Sequence, residues 1–225
     1  MPMELVDNYR RLPVYLVVDT SASMGGPPIV AVNQGLQLFA DHIKQDQHCR
    51  DTVSVGVIRF DSDAERVCPL TEAAQFVPPQ LHVGGGTALS LALKELKTAI
   101  ADEMRPRSED YPGDYKPMVF LFTDGAPNPG DPWREAADAL WETKGQRPGV
   151  LVAIGAGSGV DVDMLKQLAP ESTYLLSDLD SGKMQQLFKW IANSTVISSK
   201  AVGQVKADQL GAQLPSAPPD LFDTP

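Results

Sequence analysis

Apolar residues along the chain form short continuous runs that alternate with stretches of helical periodicity. The runs at residues 14–18, 53–58, 118–122 and 150–154 are too continuous for strands with one face in water, so they predict buried parallel strands. Between them, apolar residues recur at spacings of three and four, which is typical of amphipathic helices. The residues with this spacing are Val32, Leu36, Phe39 and Ile43, and then Leu89, Leu93, Leu96 and Ile100.

Further helices are predicted at about residues 133–144, 162–168 and 181–192. Strands that alternate with helices form a mostly parallel sheet with right-handed crossovers. Residues 64–70 break the alternation, because the three residues before them are too few for a crossover and suit a hairpin. Residues 174–176 supply a weak sixth strand. The predicted fold is therefore α/β: a doubly wound, Rossmann-like, mostly parallel six-stranded sheet with one antiparallel edge strand and helices on both faces.

The chain is expected to divide into one domain, residues 1–197, and a proline-rich C-terminal tail, residues 198–225. The tail sequence loses apolar periodicity and gains proline. Two roles stay open for it. Asp220 and Asp223 could reach a metal on a neighbouring molecule, or Leu221 and Phe222 could dock on an apolar surface, and the second role is favoured.

Charge and composition narrow the class of partner. Nineteen basic residues stand against 29 acidic ones, which gives a formal net charge of −10 and opposes binding to nucleic acid or anionic lipid. No leader-like segment or apolar run long enough for a membrane span is present, so a cytoplasmic location is expected. Cys49 and Cys68 are too few for a disulfide framework and are predicted to be free thiols.

Polar residues with oxygen side chains follow two of the predicted strands and open one helix. Asp19, Ser21 and Ser23 follow the first strand, and Asp124 follows the strand at residues 118–122. Three glycines precede Thr87 at the start of a predicted helix. Each feature alone has an ordinary explanation as a turn or helix cap. Ligands bind at the carboxyl ends of parallel strands, so the three loops together predict one common ligand.

The chemistry of these side chains selects a hard cation. Hydroxyls and carboxylates without imidazole or thiolate suit Mg²⁺, with Mn²⁺ and Ca²⁺ as alternatives, and disfavour zinc and copper. Two carboxylates that converge at a partly buried edge also repel each other unless a cation lies between them. The sequence therefore predicts a divalent metal site with Asp19, Ser21, Ser23, Thr87 and Asp124 as its residues.

The segment DTSAS at residues 19–23 matches the DxSxS motif of von Willebrand factor A (vWA) domains. Thr87 and Asp124, the latter within TDG, match the other two positions of that family's metal ion-dependent adhesion site (MIDAS). The resemblance covers about residues 12–195 and implies that the serines ligate the metal directly. It implies that Thr87 does so directly or through water, and that Asp19 and Asp124 often act through bound waters. The metal then keeps a replaceable water that an external carboxylate can displace.

This resemblance implies a protein-interaction module and not an enzyme, with a partner that presents an Asp or Glu carboxylate to the metal. The segment LPVYLVVDTSASM also resembles bacterial stand-alone proteins of the tellurium-resistance type. That narrower resemblance implies a stress, tellurite-resistance or defence signalling complex with a protein kinase and a PP2C-type phosphatase as partners.

Enzymatic alternatives fit the motifs less well. A metal-dependent phosphatase-like hydrolase is the distant alternative, but phosphatases with an aspartate nucleophile carry DxDx, and Ser21 stands at its second aspartate. The dinucleotide motif GxGxxG, the phosphate-loop ending GK[ST] and the serine-hydrolase motif GxSxG are absent from the expected positions. Asp61 and Asp63 are expected to form a solvated hairpin turn and not a second cation site.

Overall fold

The computed structural model describes residues 10–142 and 147–201, together with residues 214, 215, 218 and 220–222. The strands in this part of the chain are β1 (Leu12–Asp19), β2 (Val53–Phe60), β3 (Ala64–Glu72), β4 (Met118–Thr123), β5 (Val150–Ala156) and β6 (Thr173–Leu176). They form one sheet in the order β3-β2-β1-β4-β5-β6. β2 and β3 run antiparallel, and the other neighbouring pairs run parallel. The predicted fold class is confirmed, including its antiparallel edge strand.

Helices cover both faces of the sheet. They are α1 (Pro27–Gln45), α2 (Gln47–Thr52), α3 (Leu89–Glu103), α4 (Trp133–Glu142), α5 (Val162–Leu168) and α6 (Ser181–Ala201), and a short 3-10 helix spans Ala22–Met24. One core lies between the sheet and α1 and α6, and the other lies between the sheet and α3, α4 and α5. Side chains of β1 alternate between them, since Val14 and Leu16 face the first core and Tyr15 and Val17 the second. Burial on both faces explains why the strands are continuously apolar.

Helix α6 is longer than the sequence pattern predicts. It was expected to end near residue 192 but continues to Ala201, with Ser194, Thr195, Ser198 and Ser199 buried along it. The hydroxyls of Ser194 and Thr195 donate hydrogen bonds back to helix carbonyls, at 2.7 and 3.0 Å. Because small hydroxyl residues occupy the buried face, the apolar periodicity disappears although the helix persists. Helix α6 therefore includes residues 198–201 of the predicted tail, while the division into domain and tail stays a prediction.

Two other helices differ from expectation in smaller ways. The short helix α2 has no apolar period long enough to reveal it, and it begins at a cap that the Asp46 carboxylate forms with the Cys49 N–H, at 3.0 Å. The predicted end of α4 at residue 144 lies outside the described residues, because the structure describes this helix as far as Glu142.

The C-terminal segment docks on the sheet side of α6 through apolar residues. Leu221 is 1% exposed, and the Phe222 ring lies 4.8 Å from the ring of Tyr174 and 5.3 Å from that of Trp190. The Trp190 indole N–H donates to the Pro215 carbonyl at 3.2 Å. The favoured interpretation, docking through Leu221 and Phe222, is confirmed. Asp220 is exposed, and Asp223 lies outside the described residues.

Both cysteines are free, as predicted. Cys49 is buried between α2 and α6, where burial raises the pKa of its thiol to about 11. Cys68 is half-buried on the edge strand β3. Among the helices that the structure describes, none is both long and apolar enough to cross a bilayer.

Candidate metal site

The central strands β1 and β4 end at the edge of the sheet where the strand order reverses. β1 pairs with β2 on one side and with β4 on the other, so consecutive strands proceed outward in opposite directions. In doubly wound sheets, ligands bind in the crevice outside the strand ends at this point. Asp19 is the last residue of β1, and Asp124 directly follows β4. We call this end of the sheet, with the loops at residues 20–30, 82–88 and 124–131, the metal edge.

Asp19 is completely buried and its carboxylate is held at both oxygens. Oδ1 accepts the backbone N–H of Ser21 at 2.8 Å, and Oδ2 accepts the Thr123 hydroxyl at 2.5 Å. Burial, with a smaller contribution from the nearby Asp124 carboxylate, raises the pKa of Asp19 to about 6 although the hydrogen bonds from Ser21 and Thr123 lower it. A buried carboxylate with a raised pKa gains most from a nearby cation.

The two serines and Asp124 form a continuous hydrogen-bonded group. The Ser21 and Ser23 hydroxyl oxygens lie 3.2 Å apart, and the Ser23 hydroxyl donates to Asp124 Oδ1 at 2.8 Å. Ser23 lies in the 3-10 helix Ala22–Met24, and Ser21 is the residue that precedes this helix. Burial raises the pKa of Asp124 as well.

Thr87 lies against the loop that carries Asp124. Its N–H donates to the Asn128 side-chain oxygen and its carbonyl accepts the Asn128 N–H, both at 2.9 Å. Thr87 Oγ1 is also the heavy atom nearest to a Cβ built on Gly125, at 3.9 Å. The structure thus brings four of the predicted residues into one hydrogen-bonded group and sets Thr87 beside it.

Thr87 does not cap the helix that follows. Helix α3 begins at Leu89, and its preceding residue, Ala88, makes no side-chain cap. The Asp131 carboxylate takes that role from the loop after β4, because it accepts the Ser90 N–H at 2.9 Å and the Ser90 hydroxyl at 3.0 Å. The ordinary explanation of Thr87 as an N-cap is therefore wrong, and its hydroxyl makes no capping bond to α3.

The glycine run packs closely on the neighbouring loops. Gly84 N–H donates to the Thr20 carbonyl and the Gly85 carbonyl accepts the Ala22 N–H, both at 2.8 Å. A Cβ on Gly84 would overlap the Asp61 carboxylate, and one on Gly86 would lie 2.8 Å from the Asn128 side-chain oxygen. Close approach of loops thus explains these glycines.

Asp61 departs from the expectation of a solvated turn. It is a buried residue whose carbonyl accepts the Ala88 N–H at 2.7 Å. Its carboxylate accepts the Thr20 hydroxyl at 3.3 Å and forms an ion pair with Arg59 at 3.2 Å. Asp63 is exposed as predicted and pairs with Arg59. Asp61 therefore contacts both the loop of Thr20 and the residue after Thr87, and sequence analysis missed these contacts.

The geometry fits an oxygen-coordinated divalent ion. Adjacent ligands of an octahedral Mg²⁺, at roughly 2.0 to 2.1 Å from it, lie about 2.9 Å apart. The 3.2 Å between the Ser21 and Ser23 hydroxyl oxygens is close to that spacing. In the described part of the chain, no group of three or more His, Cys, Asp or Glu side chains could hold a metal. Any metal at this edge would therefore depend on the hydroxyls.

Fold and site together define a class of protein: a doubly wound α/β domain with hydroxyl and carboxylate side chains gathered outside the ends of its two central strands. A family model described as von Willebrand factor type A domain matches residues 14–190. The chain belongs to the vWA family.

Solved structures with the same fold are distant in sequence. Proximal thread matrix protein 1 from the mussel byssus is 22% identical, with a TM-score of 0.59 over 84% of this chain and 47% of that one. The pilus adhesin SpaC from Lactobacillus rhamnosus GG is 18% identical, with a TM-score of 0.64 over 84% of this chain and 31% of that one. A vWA protein from Catenulispora acidiphila is 17% identical, with a TM-score of 0.58 over 84% and 43%.

The chain spans about half or less of the length of these proteins. Another structure of the mussel protein is described with a zinc-occupied MIDAS motif; it is 20% identical, with a TM-score of 0.55 over 84% of this chain and 48% of that one. No curated protein sequence matches this chain significantly.

Proposed function

We propose that this vWA domain is a metal-dependent protein-interaction module with a complete MIDAS. Asp19, Ser21, Ser23, Thr87 and Asp124 would hold one divalent ion, Mg²⁺ in preference to Mn²⁺ or Ca²⁺. The observation that supports this most is the hydrogen-bonded group of Asp19, Ser21, Ser23 and Asp124, which joins the loops after β1 and β4. When bound, the ion supplies an electrophilic position for a carboxylate of the partner.

The hydrogen bonds of this group favour binding over hydrolysis. Asp19 is engaged by Ser21 N–H and by Thr123, and Asp124 by Ser23, so each carboxylate already accepts a hydrogen bond. Neutral hydroxyls leave most of the positive charge of a dication available to an external anion. We therefore propose a non-enzymatic role, with an Asp or Glu of a protein partner as the ligand.

The resemblance of LPVYLVVDTSASM to tellurium-resistance vWA proteins supports a more specific proposal. In it, the domain acts in the bacterial cytoplasm within a stress, tellurite-resistance or defence signalling complex. A protein kinase and a PP2C-type phosphatase are the proposed partners. Co-purification of the tagged chain with either enzyme, lost on addition of EDTA, would support this.

Calorimetric titration with Mg²⁺ tests the site itself. The double variant Ser21→Ala, Ser23→Ala should lose Mg²⁺ binding and keep the unfolding temperature of the metal-free protein. Ser158→Ala is the matched control, because Ser158 is exposed in the loop after β5, at the same end of the sheet. Unchanged Mg²⁺ affinity in the double variant would overturn the proposed site.

A further inference from the structure

Thr87 is held at the metal edge in a different way from the other four predicted metal residues. Those four form one hydrogen-bonded group, in which side-chain oxygens take part at every step. The Thr87 hydroxyl, in contrast, makes no hydrogen bond to any residue that the structure describes. The position of this hydroxyl therefore depends on what holds the Thr87 backbone.

Asn128 holds that backbone at both of its polar groups. The Asn128 side-chain Oδ1 accepts the Thr87 N–H, and the Asn128 N–H donates to the Thr87 carbonyl, both at 2.9 Å. Two bonds between the same pair of residues fix their relative orientation as well as their separation. Asn128 belongs to the loop that follows β4 and begins with Asp124. It therefore joins Thr87 to the loop that carries Asp124.

The other side of the glycine run is anchored without Asn128. Gly86 N–H donates to the Ser62 hydroxyl at 2.8 Å, and Ala88 N–H donates to the Asp61 carbonyl at 2.7 Å. These bonds to the turn between β2 and β3 keep the run in place when the Asn128 side chain is removed. Asn128 is also exposed, so its truncation leaves no buried cavity. Changes at this side chain should therefore alter the alignment of Thr87 and leave the fold intact.

We propose that Asn128 is the positioning residue that aligns the Thr87 hydroxyl with the metal. This inference rests on the proposed function and adds a residue outside the five of the MIDAS. In the structure, Thr87 Oγ1 faces the loop of Asp124, since it is the heavy atom nearest to a Cβ built on Gly125, at 3.9 Å. Loss of the Asn128 side-chain bond leaves one of the two backbone bonds, so the Thr87 hydroxyl is no longer held in one orientation. Metal affinity falls when groups that orient the ligands are removed.

Calorimetric titration of the full chain with Mg²⁺ tests the inference. Asn128→Ala should bind Mg²⁺ about tenfold more weakly. Asn128→Asp keeps an acceptor oxygen at the same place and should bind Mg²⁺ at least as tightly as the unaltered chain. Asn193→Ala is the matched control with unchanged affinity, because it removes an exposed asparagine side chain from α6. The unfolding temperature in EDTA should differ little among these proteins.

A double-mutant cycle determines whether Asn128 acts through the Thr87 hydroxyl. Thr87→Val keeps the branched shape and the backbone bonds but removes the hydroxyl. In that background, Asn128→Ala should change the Mg²⁺ affinity by less than about twofold, the error of such cycles. A purely structural role of Asn128 would instead lower the affinity equally in both backgrounds.

Gly86→Ala provides an independent probe of the same contact. A Cβ on Gly86 would lie 2.8 Å from Asn128 Oδ1 and 2.9 Å from its Nδ2, so it should displace the amide from Thr87. The φ angle of Gly86 is not positive, so alanine suits its backbone. Gly86→Ala should therefore weaken Mg²⁺ binding in the unaltered chain but have no further effect in Asn128→Ala.

The outcomes separate this inference from the proposed function. Unchanged Mg²⁺ affinity in Asn128→Ala, or an equal loss with and without the Thr87 hydroxyl, would overturn the inference and leave the proposed metal site intact. An Asn128→Asp protein that binds as weakly as Asn128→Ala would do the same. Failure of the unaltered chain to bind Mg²⁺ would overturn the proposed function, and the inference with it.

Discussion

The Thr123 hydroxyl donates a 2.5 Å hydrogen bond to Asp19 Oδ2, so the last residues of the two central strands are joined by their side chains. This bond and the one from Ser21 N–H fix both oxygens of a fully buried carboxylate. Burial raises the pKa of Asp19 by more than these hydrogen bonds lower it, so the pKa rises to about 6. The charge at Asp19 therefore destabilises the metal-free fold at neutral pH.

The variant Asp19→Asn should be more stable than the unaltered protein in EDTA at pH 7. With a folded-state pKa of about 6 against an ordinary 3.8, the folded protein holds its proton more tightly. The contribution of protonated Asp19 to the free energy of unfolding is therefore fully present below about pH 4, and it is lost as the pH rises toward 6. A shift of this size corresponds to at most about 3 kcal/mol. Urea unfolding between pH 4 and pH 7.5 measures the difference, which should vanish at the acid end.

The free energy of unfolding of the same variant should no longer increase when Mg²⁺ is added, since an amide is a weaker ligand for a dication than a carboxylate. Asp51→Asn removes an exposed carboxylate on α2 and serves as the control. An Asp19→Asn protein with the pH profile of the unaltered chain would contradict the role assigned to burial.

Asp61→Ala should weaken Mg²⁺ binding about tenfold, in the range found when residues that support metal ligands are removed. The change removes the carboxylate that contacts Thr20 and Arg59 and that packs on Gly84. Asp63→Ala is the matched control two residues away, where the carboxylate is exposed, and its affinity should be unchanged. Calorimetry at one pH compares the two, and equal affinities would remove Asp61 from the site.

Leu221→Ala should destabilise the protein by about 2 kcal/mol or more, as expected for a buried leucine. Leu221 is 1% exposed and belongs to the core between the sheet and α1 and α6, and its side chain is apolar and cannot bind a cation. Mg²⁺ affinity should therefore stay unchanged. The exposed neighbour Asp220 provides the control, because Asp220→Ala should alter neither quantity. A loss of Mg²⁺ affinity in Asp220→Ala would instead favour the alternative in which the tail reaches a metal.

Asp114→Ala should destabilise the fold by about 3 to 5 kcal/mol, because it leaves the charge of Arg11 without its partner. The buried Asp114 carboxylate accepts hydrogen bonds from Arg11 at 2.5 Å, from Arg105 N–H at 2.7 Å and from Tyr111 at 2.5 Å. These contacts join the start of β1 to the segment between α3 and β4. Thermal unfolding in EDTA measures the loss, and a loss below about 1 kcal/mol, the level of a surface ion pair, would contradict it.

The strands, and the gathering of Asp19, Ser21, Ser23 and Asp124 at one edge of the sheet, could be inferred from sequence because both follow from the order of residues along single segments. A buried parallel strand needs a continuous apolar run, and the residues that follow it lie at one edge of the sheet. Asp61, Asn128 and Asp131 could not be found this way, since their roles depend on which distant loop each one meets. Asn128 bonds to Thr87 and Asp131 caps α3, each across 41 residues of sequence.

The end of α6 shows a different limit of sequence analysis. A helix is recognised by apolar periodicity, but Ser194, Thr195, Ser198 and Ser199 occupy its buried face. The hydroxyls of Ser194, Thr195 and Ser199 donate hydrogen bonds to helix carbonyls, so these side chains can be buried without an apolar signal in the sequence. The Phe222 contact with Trp190 could be anticipated only as docking on some apolar surface, because the sequence does not specify the partner ring.

The bond between Ser23 and Asp124 spans 101 residues of sequence and crosses the central strand pair. Contacts of such separation form late in folding, because the loop that they close costs conformational entropy. During synthesis, a nascent chain cannot assemble this group before residue 124 has left the ribosome and β4 has paired with β1. Acquisition of Mg²⁺ would then serve as a kinetic marker of that pairing, and stopped-flow refolding with a metal indicator could time the closure of the sheet centre.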